Sequence, residues 1–141
     1  MARIISIDYG KKRTGIAVTD PLQIIATGLT TIDSETLIWF LKSYFEKEEV
    51  TEIVLGHPKN LDDSDTHITK KVEKIYGQLQ KIFPDKKVIL VDERYTSQMA
   101  FQSLIDSGVS KKNRRNKALL DEVSATIILQ EYLVQKENNE I

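Results

Sequence analysis

The sequence predicts an α/β fold: a mixed five-stranded sheet, made of an antiparallel three-strand meander plus two parallel strands, flanked by helices. Three observations lead there. Three β-rich apolar runs follow one another at the N-terminus with only turn residues between them. Two later apolar runs of strand length alternate with segments of helical periodicity. A helix that carries the chain from one strand to the next returns it in the same direction, so the later pairs are parallel.

Each element has a local reason. Arg3 to Tyr9 and Thr14 to Thr19 are strand-like runs split by Gly10-Lys11-Lys12-Arg13, and a third, Gln23 to Ile32, follows Asp20-Pro21. Ser34 or Asp33 supplies an N-cap for a helix through Lys47, with Leu37, Phe40, Leu41, Tyr44 and Phe45 on its apolar face. Glu52 to Gly56 reads as a short strand, His57 to Thr66 as a loop, and a second helix stops before Pro84. Lys87 to Val91 is the fifth strand. Thr96 or Ser97 caps a helix stopped by Gly108, and a last helix spans about Ala118 to Gln135. One domain is expected over 1–135, with a polar tail over 136–141.

Composition narrows the chemistry. A chain of 141 residues is long enough to bury roughly two thirds of its unfolded surface. It has no cysteine, which excludes disulfides, thiolate zinc sites and cysteine nucleophiles. No apolar stretch approaches the roughly 20 residues of a spanning helix, and no secretory segment opens the chain, so a cytoplasmic protein without a membrane partner is expected. The net charge of −1 offers no global attraction to a polyanion, so a nucleic-acid surface has to come from local clustering. Such a cluster runs from Lys111 to Lys117, five cations and no acid.

Asp8 closes an apolar strand, where a carboxylate needs a charged partner or a metal unless it only starts the turn to Lys11. Asp92 and Glu93 follow Val88-Ile89-Leu90-Val91 at the corresponding edge of a parallel strand, where ligands of such sheets gather. Asp121, placed in the first turn of the last helix, shares a stripe with Ala125, Ile128 and Tyr132, and stabilisation by the helix dipole is its structural alternative. For Glu93 the alternative is an ion pair with Arg94 or a lysine. Carboxylates from separate elements, with two histidines and no cysteine, suit all-oxygen binding of Mg²⁺ or Mn²⁺, as two ions acting on a phosphodiester. Lys12, Arg13, Arg94, Lys111, Lys112, Arg114 and Arg115 flank these acids and would hold a phosphate backbone without reading bases. His57, beside Pro58, reads either as a proton-transfer group or as a loop residue bonded to the backbone, and Tyr9 and Tyr95 as stacking platforms or rim packing.

Four ordered motifs then carry a resemblance. Ile7-Asp8-Tyr9-Gly10 with Lys12-Arg13-Thr14-Gly15-Ile16-Ala17-Val18-Thr19-Asp20-Pro21, Val54-Leu55-Gly56-His57-Pro58-Lys59-Asn60, Asp92-Glu93-Arg94-Tyr95-Thr96-Ser97 and Asp121-Glu122-Val123-Ser124-Ala125-Thr126 resemble the successive motifs of the YqgF/RuvX family. The resemblance implies an RNase H-like fold related to RuvC-type junction resolvases, and a nuclease that processes the 5′ end of pre-16S rRNA. It implies an acidic site on Asp8, Glu93 and Asp121, with Asp92 as a neighbour. The chain departs from the pattern at His57, commonly apolar in the family, and at Asp63, commonly Gly. It also carries Gly56-His57-Pro58 where resolvases often place a fourth acid. The expected partner is structured RNA or branched DNA, bound by a monomer or homodimer; the alternatives are a Holliday junction resolvase and a non-catalytic RNA-binding assembly factor. An actin-like ATPase would need a second such domain.

Overall fold

The structure, a computed structural model, describes residues 2–58, 66–92, 102, 106 and 116–138. Strands β1 (Arg3–Tyr9), β2 (Arg13–Thr19) and β3 (Ala26–Asp33) lead into helix α1 (Leu37–Lys47). Then come β4 (Val50–His57), α2 (Thr69–Ile82), β5 (Lys87–Asp92) and a long helix α3 (Lys117–Glu137). Gln102 and Asp106 are helical, within the helix expected before Gly108, and the amide of Gln102 donates to the Asp106 carboxylate at 2.9 Å. The caps expected at Thr96, Ser97 and Gly108 lie outside the described residues.

The five strands lie in the order β3-β2-β1-β4-β5. β1 pairs antiparallel with β2 and parallel with β4; β2–β3 is antiparallel and β4–β5 parallel, as the sequence predicts. The central strand is buried on both faces, and its alternation divides the core. Ile5, Ile7 and Tyr9 join Leu37, Leu41, Val72 and Leu79 under α1 and α2. Ile4 joins Ala17, Val54, Ala125, Ile128, Leu129 and Tyr132 under α3. A two-sided strand thus reads as a near-continuous apolar run, interrupted in β1 only by the buried Ser6 before Asp8, which makes β1 legible in the sequence.

Several boundaries differ from expectation for physical reasons. The segment 20–25 is a loop rather than the start of β3, because the Asp20 carboxylate accepts from the amides of Leu22, Ile24 and Ile25 at 3.1, 2.8 and 2.7 Å. Those bonds also hold the Asp20 carboxyl below its ordinary range, with the Ile25 amide the main cause, and Gln23 takes the left-handed backbone the turn requires, at φ 61°. Neither Asp33 nor Ser34 caps α1 through its side chain; a single 3₁₀ turn, Ser34–Thr36, enters it instead. The Ser34 hydroxyl donates to the Gly10 carbonyl at 2.5 Å and so accepts from Thr14 at 2.8 Å, fastening the β1–β2 turn.

At its far end α3 runs past the expected stop at Gln135, and Lys136 has a structural reason to be ordered. Glu52, 6 % exposed on β4, accepts a hydrogen bond from the Tyr132 hydroxyl and is bonded by Lys136 Nζ at 2.6 Å. Burial, followed by the neighbouring Glu52, pushes the Tyr132 phenol far above its ordinary pKa, so it stays a donor. Tyr132→Phe leaves one oxygen of a buried carboxylate without its donor, and urea melts should show a loss of about 1–3 kcal/mol. No helix among the described residues is long and apolar enough to cross a membrane.

Candidate active site

Asp8 follows Ile4 and Ser6 on the α3 face of β1 and stands in register with Gly15 of β2. Gly15 is there because α3 leaves no space for a side chain. A Cβ at that position would overlap the carbonyl group of Asp121 and approach the Glu122 nitrogen to 3.0 Å, so the helix backbone lies directly on the strand. Two hydroxyls fasten the crossing. Ser6 donates to the Ala125 carbonyl at 2.6 Å and Thr31 to the Ala118 carbonyl at 2.5 Å.

This close approach brings Asp121 to the tip of β1. Asp8 and Asp121 line one small pocket of about 150 Å³, together with Arg13, Lys117, Leu120 and Ser124. Residues from a strand, a neighbouring strand and a helix converge there, and two of the three predicted carboxylates are among them.

Asp121 sits in the second turn of α3 rather than the first, since Asn116 is the N-cap and its side chain accepts from the amides of Ala118 and Leu119 at 3.0 and 3.3 Å. The dipole explanation therefore weakens, because that effect fades beyond the first turn. Its partner is Arg13, whose Nε donates to Asp121 Oδ2 at 2.9 Å. Burial still raises the Asp121 pKa above the ordinary aspartate range, opposed by the hydrogen bond and charge of Arg13 and by the charge of Lys117. A further cation in the pocket would favour the ionised form in the same way that Arg13 does.

Asp92 ends β5 in register with His57 of β4 and is not among the described residues lining the Asp8–Asp121 pocket. His57 Nε2 lies 3.4 Å from Glu73 Oε2 of α2, but the pair is too poorly aligned for a hydrogen bond. This places His57 against α2, on the other side of the sheet from Asp121. Glu93, Arg94, Tyr95, Lys111, Lys112, Arg114 and Arg115, like Lys59, Asn60 and Asp63, lie outside the described residues.

Sequence reasoning did not single out Gly15, Leu120 or Ser124, and it treated Lys117 only as part of a basic run. Ser124 had a signal, being three residues from Asp121 on one helix face. Gly15 had one too, as a glycine inside a β-rich run, which marks close backbone approach. The Arg13–Asp121 pair had none.

The family model described as "RuvX: Holliday junction resolvase" matches residues 2–135. The chain belongs to the RuvX family. Among RuvX relatives, a Flavobacterium johnsoniae protein named "Putative pre-16S rRNA nuclease" is 57 % identical over 136 residues, covering 96 % of this chain and 99 % of its own. Proteins of the same name from Flavobacterium psychrophilum and Phocaeicola vulgatus are 56 % and 53 % identical, each over 96 % of this chain and 99 % and 98 % of their own. RuvX membership carries the RNase H-like fold that the four motifs implied, and the mixed five-stranded sheet agrees with it.

Proposed function

We propose that this chain is a hydrolase of nucleic-acid phosphodiester bonds that processes the 5′ end of pre-16S rRNA in the cytoplasm. The observation that carries the reading is the convergence of Asp8 and Asp121 on one pocket beside Arg13 and Lys117. The names of relatives sharing about half of its residues or more support the substrate. The donors fit a hard divalent cation, since the two carboxylates and the Ser124 hydroxyl offer oxygen and the chain has no thiol. Asp8 and Asp121, with Glu93 as the third carboxylate, would hold Mg²⁺ or Mn²⁺, as two ions. When bound, such cations supply a more acidic water and charge neutralisation at the phosphate.

The chain's own groups do the remainder. Asp8 and Asp121 set the negative charge that concentrates cations at the strand tip. Arg13 holds Asp121 in place and, with Lys117, offsets the charge of the incoming phosphate. Lys12, Arg94, Lys111, Lys112, Arg114 and Arg115 hold the flanking backbone.

A second reading, resolution of four-way DNA junctions by a homodimer, is favoured by the description of the family. One assay separates the two. A pre-16S rRNA 5′ fragment and a four-way DNA junction are incubated side by side with Mg²⁺ or Mn²⁺. Cleavage of the RNA and an intact junction is the expected result; cleavage of the junction alone, with a dimer by sedimentation, replaces the first reading with the second. Binding without cleavage under any divalent cation would leave only an assembly factor.

A further inference from the structure

We infer that a second cavity, on the opposite side of β1 from Asp8, is a nucleotide subsite that takes a single-stranded segment flanking the bond to be cut. The inference rests on the nuclease reading above. Asp8 and Tyr9 are consecutive on a strand, so they face opposite sides of the sheet at the same tip. On the Tyr9 side lies a cavity of about 400 Å³ lined by Tyr9, Lys11, His67, Ile68 and Lys71. That volume is within the roughly 300–1,000 Å³ typical of small-molecule sites. The turn of Gly10, Lys11 and Lys12 is the saddle between the two pockets: Lys11 lines one and Arg13, just beyond it, lines the other.

The lining matches a nucleotide in both of its parts. Tyr9 and Ile68 form an apolar wall suited to a base, and Lys11, Lys71 and the imidazole of His67 surround it with donors suited to a phosphate. The described lining contains no carboxylate. Arg13 and Lys136 are held by acids, whereas Lys11 and Lys71 pair with no carboxylate among the described residues. Their charge is therefore available to an external anion. Three elements build the site: the end of β1, the β1–β2 turn, and the start of α2 with the residues before it. A strand laid over the saddle would reach both pockets.

The test uses the full chain and a fluorescein-labelled single-stranded RNA 12-mer, with binding followed by anisotropy across a salt series. Lys71→Ala should lower the slope of log K against log salt by about 0.7, the value of one lost phosphate contact on a single strand. Lys81→Ala removes the same charge from an exposed position in the last turn of α2, outside the cavity, and should leave the slope unchanged. Thermal melts confirm that both variants fold. A 12-mer carrying 4-thiouridine should photo-crosslink to the peptide containing Ile68. An unchanged slope in Lys71→Ala, or equal losses in the two variants, overturns the subsite. So does binding of free uridine 5′-monophosphate that Lys71→Ala weakens while the 12-mer is unaffected, because the cavity would then serve a free nucleotide. None of these readouts requires cleavage. Failure of the nuclease reading shows instead as RNA that stays intact with every divalent cation.

Discussion

Asp8→Asn is expected to abolish cleavage while leaving the protein folded. The substitution keeps the shape of the side chain and removes its charge from a pocket in which the opposite acid, Asp121, is already partly neutralised by Arg13. Of the two carboxylates lining this pocket only Asp121 on α3 then remains, so divalent cations should be held more weakly at the strand tip. Single-turnover cleavage of the pre-16S fragment should fall by at least about 10²- to 10³-fold, the scale of losing one electrostatic contact to developing charge. Urea melts should move by less than about 1 kcal/mol, since the change alters charge and not packing. Equal cleavage by Asp8→Asn would sink the assignment of this pocket as the active site. Restoration of cleavage by raising Mn²⁺ would locate the defect in cation affinity.

Gly15→Ala carries the largest expected cost in stability. The added methyl would meet the backbone of Asp121 and Glu122, which has no rotamer to change, so α3 must lift from the sheet. A loss of about 3 kcal/mol is expected, with cleavage lost as well because Asp121 moves with its helix. Gly77→Ala is the same chemical change in open space on α2 and should stabilise by about 0.5–1 kcal/mol. Guanidinium melts of the two variants therefore shift in opposite directions. Equal shifts would mean that α3 does not rest on β2 through Gly15.

The strands and their pairing were legible because they obey local rules. β1 and β4 are buried on both faces and read as largely apolar runs, and the helices before and after β4 set the parallel pairing. Asp8 was legible because a carboxylate ending such a run is costly without a partner. Other features depended on contacts that no window of sequence contains. Arg13 and Asp121 are 108 residues apart, and Tyr132 and Glu52 are 80 apart. Asp20 turned an apolar stretch, Ile24-Ile25, into a loop by capturing three amides, so hydrogen bonding overrode strand propensity. Ser34 had the residue type of a cap, yet its hydroxyl is spent on the Gly10 carbonyl. The aromatic face of α1 was read correctly as packing: Phe40 stacks on Tyr44, and Phe45 meets Phe83 edge-on at 5.0 Å.

The joining of β1 to α3 through Gly15 also has a consequence for the timing of synthesis. Asp8 leaves the ribosome early, but the pocket is incomplete until Asp121 has been made and its helix has settled on β2. At about 5–20 residues per second, the interval between the two acids lasts on the order of ten seconds. Throughout it the nascent chain, tethered to a ribosome built of RNA, lacks the Asp121 wall of this pocket. On the proposed assignment of Asp8 and Asp121, catalytic competence would arrive only with the last helix, and an unfinished copy would be harmless to the particle that is making it.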